Sequence, residues 1–250
     1  MSTDVKAAVG KFIWHEHVSK DQEQAKRFYT ELLGWELDVW KPGEADYAMI
    51  KSGDGMHGGF SSPQGDIPPH WLGHILVEDV DETITKIEGA GGQVRMGPMD
   101  MPEIGRFAIV ADPQGATFSL YAAEGEPGGS QGVFVWDELH TSDRDSAKSF
   151  YPEVFGWTAN DNDMGGGTIY TVFQRGEDQI GGCFDLSEGE PMPNWMVYIG
   201  TSDVDASAAK ARQLGATIIV EPSDIPNMGR FAVVQDPTGA VFGLFQSTGS

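Results

Sequence analysis

Apolar positions along the chain alternate between two periods. Phe12–Val18 (FIWHEHV) is a short run with aromatic and β-branched residues and reads as a strand. Gln22–Leu33 follows, with Ala25, Phe28, Tyr29 and Leu32 at i, i+3, i+4 and i+7. That spacing predicts a helix with one apolar face, capped by Asp21 and ended by Gly34. Three short strand candidates come next, Glu36–Trp40, Tyr47–Lys51 and Met56–Phe60, separated by Gly, Pro and Asp. The order is βαβββ. A second unit opens at Trp71–Val77. Its helix is expected over Asp81–Gly89, entered through Asp79, and its strands at Gln93–Met96 and in the two arms of Gly105–Tyr121.

Those two arms, GRFAIVADPQGATFSLY, flank an Asp-Pro-x-Gly turn. Pro fixes φ at the second turn position, and Gly accepts the positive φ that closes it. The stretch recurs at Gly229–Phe245 as GRFAVVQDPTGAVFGLF, an offset of 229 − 105 = 124, with eleven of seventeen positions identical. Phe134–His140 (FVWDELH) answers Phe12–Val18. Ala147–Trp157 answers Ala25–Trp35, and Trp195–Thr201 answers Trp71–Val77. A fourth helix is expected over Asp203–Leu214, while Pro152 is expected to kink or shorten the third. The chain is therefore a duplication of four βαβββ modules. The expected fold class is α+β. The expected domains are 1–122 and 133–250, joined by a Gly-rich acidic linker at 123–132.

Composition narrows the functional classes. The 38 acidic residues against 16 basic give a formal charge of −22. Such a chain repels phosphate backbones and anionic lipid, so no nucleic-acid or membrane partner is expected. Cys183 is the single cysteine, which excludes an internal disulfide and a thiolate cluster from one chain. No window approaches a membrane span and no leader pattern is visible, so the expected location is the cytoplasm.

Three motifs carry a resemblance. They are A-K-x-F-Y-x-x-x-x-G-W after the first strand of each half, D-V-D before the second and fourth helices, and D-P-x-G-A-x-F-x-L near each half's end. Over nearly its whole length the chain resembles the vicinal oxygen chelate superfamily, the glyoxalase, bleomycin-resistance and extradiol dioxygenase group. Its tandem form is similar to two-domain actinobacterial hydroxylase-like or glyoxalase-like proteins. The resemblance implies that modules pair into two open, cup-like barrels, with ligands on the concave faces. It also implies metal-ligand positions on the first strand of each module and four residues beyond each turn Gly. Here those positions hold Trp14, Trp136, Leu72 and Met196, then Ser119 and Gly243. Indole, aliphatic and thioether side chains, and Gly, do not ligate a hard or borderline cation, and a Ser hydroxyl does so poorly. No metal and no cofactor is therefore expected.

Strand alternation places Glu16 beside Trp14, Glu138 and His140 beside Trp136, His74 beside Leu72, and Tyr198 beside Met196 on the cup faces. Tyr121 and Phe245 follow Ser119 and Gly243 in the same way. These are the expected binding residues for a flat or apolar small molecule, with Glu138 and His140 as the acid–base pair. The leading expectation is a metal-independent binder of an aromatic or polyketide-like metabolite, acting by sequestration or acid–base tailoring, as a monomer or homodimer. Two alternatives stay open: a metal enzyme using a displaced Glu16/His74 site, and a non-catalytic interaction protein with vestigial cups. The Met-bearing segments Pro98–Gly105 and Pro222–Gly229 read equally as adaptable lids or rigid turns. Arg106 and Arg230 are expected to pair with carboxylates.

Overall fold

The computed structural model describes residues 8–41, 46–101, 104–124, 132–187, 189 and 191–249. The linker expected at 123–132 lies largely outside the described residues. Sixteen strands and four helices of regular length are described. In the first half they are β1 (Phe12–Val18), α1 (Gln22–Leu33), β2 (Glu36–Trp40), β3 (Tyr47–Ser52), β4 (Gly55–Ser61), β5 (His70–Leu76), α2 (Val80–Gly89), β6 (Gln93–Met101), β7 (Gly105–Ala111) and β8 (Thr117–Ala123). The second half repeats the order as β9 (Phe134–Thr141), α3 (Arg144–Phe155), β10 (Thr158–Asp163), β11 (Ile169–Arg175), β12 (Asp178–Asp185), β13 (Asn194–Gly200), α4 (Val204–Gln213), β14 (Thr217–Ile225), β15 (Gly229–Gln235) and β16 (Val241–Ser247).

The strands form two open eight-stranded sheets, ordered β2-β3-β4-β1-β5-β8-β7-β6 and β10-β11-β12-β9-β13-β16-β15-β14. Parallel pairs such as β1 with β4, and β5 with β8, alternate with antiparallel hairpins. This is the α+β arrangement of four βαβββ modules in two open cups. Among the described residues no helix is long and apolar enough to cross a membrane.

Local chemistry explains the helix ends. Asp21, Asp79, Asp143 and Asp203 each accept a backbone N–H three residues on, satisfying a donor that the first turn leaves open. Gly34 and Gly156 end α1 and α3 in the left-handed conformation, at φ 71° and 69°. Pro152 does not shorten α3, which runs twelve residues like α1. It lies in the last turn, where its own carbonyl still accepts from Gly156 N at 2.9 Å.

Strands β6 and β14 run nine residues each, absorbing the first four residues of each segment expected as a Met-bearing loop. Register shifts in both strands let the Pro residues sit where a ladder bond is missing. Arg106 forks onto Asp81 and reaches Asp100, and Arg230 does the same with Asp205 and Asp224.

By contact density the chain divides into two compact units, each drawing on both halves of the sequence. One holds residues 1–13, 73–127 and 136–195; the other holds 14–72, 128–135 and 196–250. Each has a core knotted by the repeated motifs. In the second, Tyr29 of A-K-x-F-Y stacks on Trp35 of G-W, with centroids 5.6 Å apart and planes at 14°. Trp71 Nε1 donates to Tyr29 Oη (2.9 Å), and that hydroxyl donates to Asp236 Oδ2 (3.0 Å) of the Asp-Pro-x-Gly turn. In the first, Tyr151 stacks on Trp157 at 5.6 Å and 9°, Trp195 donates to Tyr151 (2.9 Å), and Tyr151 donates to Asp112 (3.0 Å). The other oxygen of Asp112 accepts from the backbone of Gln114, Gly115 and Ala116. A single carboxylate thus shapes the turn and satisfies the one polar atom of a buried Tyr.

Candidate functional site

On β9, Trp136 and Glu138 are half-buried and His140 is nearly closed off, at 9% exposure. Tyr170 on β11 reaches across β12 to join them. Its ring lies over Gly182, where an added Cβ would overlap the Tyr170 hydroxyl. Tyr170 Oη accepts from Trp136 Nε1 at 2.7 Å and donates to Glu138 Oε2 at 2.8 Å. His140 Nε2 is 3.0 Å from Glu138 Oε1. A carboxylate only accepts, so the imidazole carries a proton on Nε2. Burial beside the Glu138 charge pushes the Tyr170 phenol far above its ordinary value, so it stays a donor. Each oxygen of Glu138 therefore faces a different donor. Phe184, opposite His140 on β12, packs on Tyr170 with centroids 5.4 Å apart.

The first module builds the same box without the imidazole. Trp14 Nε1 donates to Tyr47 Oη (3.1 Å), which donates to Glu16 Oε1 (2.9 Å), and the Tyr47 ring lies over Gly59. Val18 stands where β9 has His140. Burial raises the Glu16 pKa above the ordinary carboxylate value, and hydrogen bonds from Tyr47 and Ser61 offset part of that.

Tyr47 and Tyr170 are the site residues that strand alternation on β1 and β9 alone does not reveal. They recur at an offset of 170 − 47 = 123, as do Gly59 and Gly182 at 182 − 59 = 123. A repeated Tyr paired with a repeated Gly was the available signal.

The other expected binding residues are placed differently. Leu72, Met196 and Tyr198 are buried at 2%, 5% and 7% exposure. Ser119 is fully buried, with its hydroxyl donating to the carbonyls of Ala108 and Leu120. His74 pairs with Ser119 across β5 and β8 and is half-buried. Tyr121 Oη donates to Ile104 O (2.9 Å). The Tyr198 ring occupies the space a side chain at Gly243 would need, and the Phe245 ring does so at Gly229. These contacts give Ser119, Tyr121, Tyr198 and Phe245 structural work.

The positions that the resemblance gives to metal ligands carry Trp, Leu, Met, Ser and Gly, a set that does not fit a divalent ion. Among the described residues no three His, Cys, Asp or Glu side chains are gathered as ligands would be. Two surface hollows of the second unit, about 350 Å³ beside Pro68, Pro69 and Pro237 and about 420 Å³ beside Leu32, Gly200 and Ser207, contain neither polar box.

Comparison with known proteins agrees with this architecture. The sequence model of the Glyoxalase/Bleomycin resistance protein/Dioxygenase superfamily matches residues 15–120 and 134–244. A Mycobacterium tuberculosis protein named "Putative glyoxylase CFP32" is 37% identical over 247 residues, covering 93% of both chains. The anthracycline biosynthesis protein DnrV of Streptomyces peucetius is 32% identical over 260 residues, 96% of this chain and 94% of its own. Among solved structures, the Mn(II)-bound glyoxalase of Novosphingobium aromaticivorans superposes with a TM-score of 0.66 at 18% identity, over 96% of this chain and 82% of that one. At such identity the likeness concerns the fold.

Proposed function

From the premise that the chain belongs to the glyoxalase/bleomycin-resistance/dioxygenase superfamily, we propose that it is a metal-independent member that handles an aromatic or polyketide-like metabolite by acid–base chemistry at His140. The carrying observation is the Glu138 carboxylate, held between His140 Nε2 and Tyr170 Oη at 3.0 and 2.8 Å. A carboxylate on one imidazole nitrogen fixes the tautomer and stabilises the cation that forms when the other nitrogen takes a proton. The His140 imidazole would accept a proton from an activated C–H or a phenol of the ligand. It would return that proton to a second ligand atom, an isomerisation or cyclisation with no change of oxidation state. Tyr170, anchored by Trp136, keeps Glu138 in place. The half-buried indole and the Phe184–Tyr170 pair supply flat apolar surface.

The relationship to an anthracycline biosynthesis protein supports the ligand class, and the residues at the family's metal positions support independence from metal. The ligand is proposed as the sole partner, to a monomer or homodimer in the cytoplasm. The test is a screen of aromatic polyketides by thermal shift, followed by turnover of any hit in chelator-treated protein. Glu138→Gln and His140→Asn are expected to retain binding within a few-fold and to lose turnover by about 10²-fold or more. Turnover that is unchanged in both variants, or that disappears with the chelator and returns with a divalent ion, refutes the reading.

A further inference from the structure

The outer strands of the first module carry a face whose chemistry differs from that of its repeat. Register pairs Trp40 with Tyr47, Asp38 with Met49, Met49 with Gly59, and Gly59 with Glu16. Alternation then puts Trp14, Glu16, Tyr47, Met49, Asp38 and Trp40 on one face, while Ala48, Ile50 and Phe60 on the other enter the core. The Trp40 and Tyr47 rings meet edge to face, at 89° with centroids 6.5 Å apart, and share one patch of this face. Tyr47 carries the Glu16 carboxyl at 2.9 Å, and Asp38 is exposed on the adjoining strand. In the third module, register places Asn162 opposite Tyr170 and Asn160 opposite Val172. Asn thus stands in both places where the first module has Trp40 and Asp38. The repeats share the Trp–Tyr–Glu box, yet only the first adds a further aromatic ring and a second acid.

We propose that this patch of the first module binds a small organic ammonium group, an alkylated or quaternary amine, against the rings of Trp40 and Tyr47. Ring faces carry negative electrostatic potential and attract a weakly hydrated cation. Glu16 and Asp38 supply the compensating charge that a partly desolvated cation needs. The same faces and carboxylates repel anions. A compact metal ion finds few donor atoms there, because the rings are carbon. The net charge of −22 draws cations from solution. This site stands apart from the acid–base chemistry proposed at His140, and its readout is binding alone.

The probe is choline, titrated by calorimetry at low salt against its uncharged isostere 3,3-dimethyl-1-butanol. Choline is expected to bind saturably at one site, at least about tenfold more tightly than the alcohol. Trp40→Leu and Asp38→Asn should each weaken choline at least about fivefold with circular dichroism and melting temperature unchanged. The repeat-position control Asn162→Leu should bind choline like the parent. Equal affinity for the alcohol, no saturable binding up to millimolar choline, or parental affinity in Trp40→Leu would overturn the assignment.

Discussion

His17 Nε2 lies 2.8 Å from Asp236 Oδ2, with both side chains wholly shielded from solvent. The repeat offers a built-in comparison, because Leu139 stands where His17 would be and Asp112 where Asp236 is. Burial raises both carboxylic acids. At Asp236 the hydrogen bond and charge of His17, with donors from Thr238 and Tyr29, pull the pKa below the ordinary value. At Asp112 burial wins. A folded-state pKa below the unfolded one gives stability that is present above the unfolded value, near 3.8, and lost as pH falls through the folded value. His17→Leu is expected to cost about 1.5–3 kcal/mol at pH 7, since Asp236 keeps its other donors but loses the hydrogen bond from His17. Urea titrations should show the deficit narrowing as pH drops and Asp236 takes up a proton. A deficit independent of pH would show that the loss is one of packing.

Glu16 has the opposite sign. Its pKa is raised, so its contribution is fully present below the ordinary value of 4.5 and declines as pH rises through the folded value. Glu16→Gln keeps a carbonyl to accept from Tyr47 and removes the charge. The variant should melt at or above the parent temperature at pH 8, with the advantage gone at pH 4. A parent that outlasts Glu16→Gln at pH 8 would contradict the raised pKa.

Tyr170→Phe should leave the Trp136 N–H without its acceptor and Glu138 with one donor fewer. The expected loss is about 1–3 kcal/mol by chemical denaturation. Gly182→Ala should reproduce much of it by displacing the same ring, at about 1–3 kcal/mol. If Gly182→Ala is neutral, the Tyr170 ring does not rest on that glycine in solution.

Cys183 is fully buried, and that burial pushes its thiol up to about 12. It should resist thiol reagents at pH 8 in the native protein and react stoichiometrically in denaturant. A thiol assay with and without urea checks this, and rapid native labelling would place Cys183 at the surface.

Much of the fold could be read along the chain because its determinants are local. The Gln22–Leu33 helix, its Asp21 cap and its Gly34 stop lie within fourteen residues and match the structure. The Asp-Pro-x-Gly turns are equally local. What could not be read were partnerships fixed by register and packing. Tyr47 meets Glu16 across 31 positions, and His17 meets Asp236 across 219. The length of β6 and β14 was hidden because bulges make room for prolines that ordinarily end a strand. Pro152 misled because its cost depends on its place in the helix: in the last turn it removes one bond without breaking the run.

The turn aspartates carry a consequence for how the protein is made. Tyr29 is synthesised 207 residues before its acceptor Asp236. The compact unit containing the first helix is completed by residues 196–250, so it cannot close while the ribosome still holds them. An emerging amino-terminal half would wait with a Tyr, two Trp and a His around a missing carboxylate. Each half carries the carboxylate that the other's tyrosine needs, so a half made alone would have to find a second chain to finish its core.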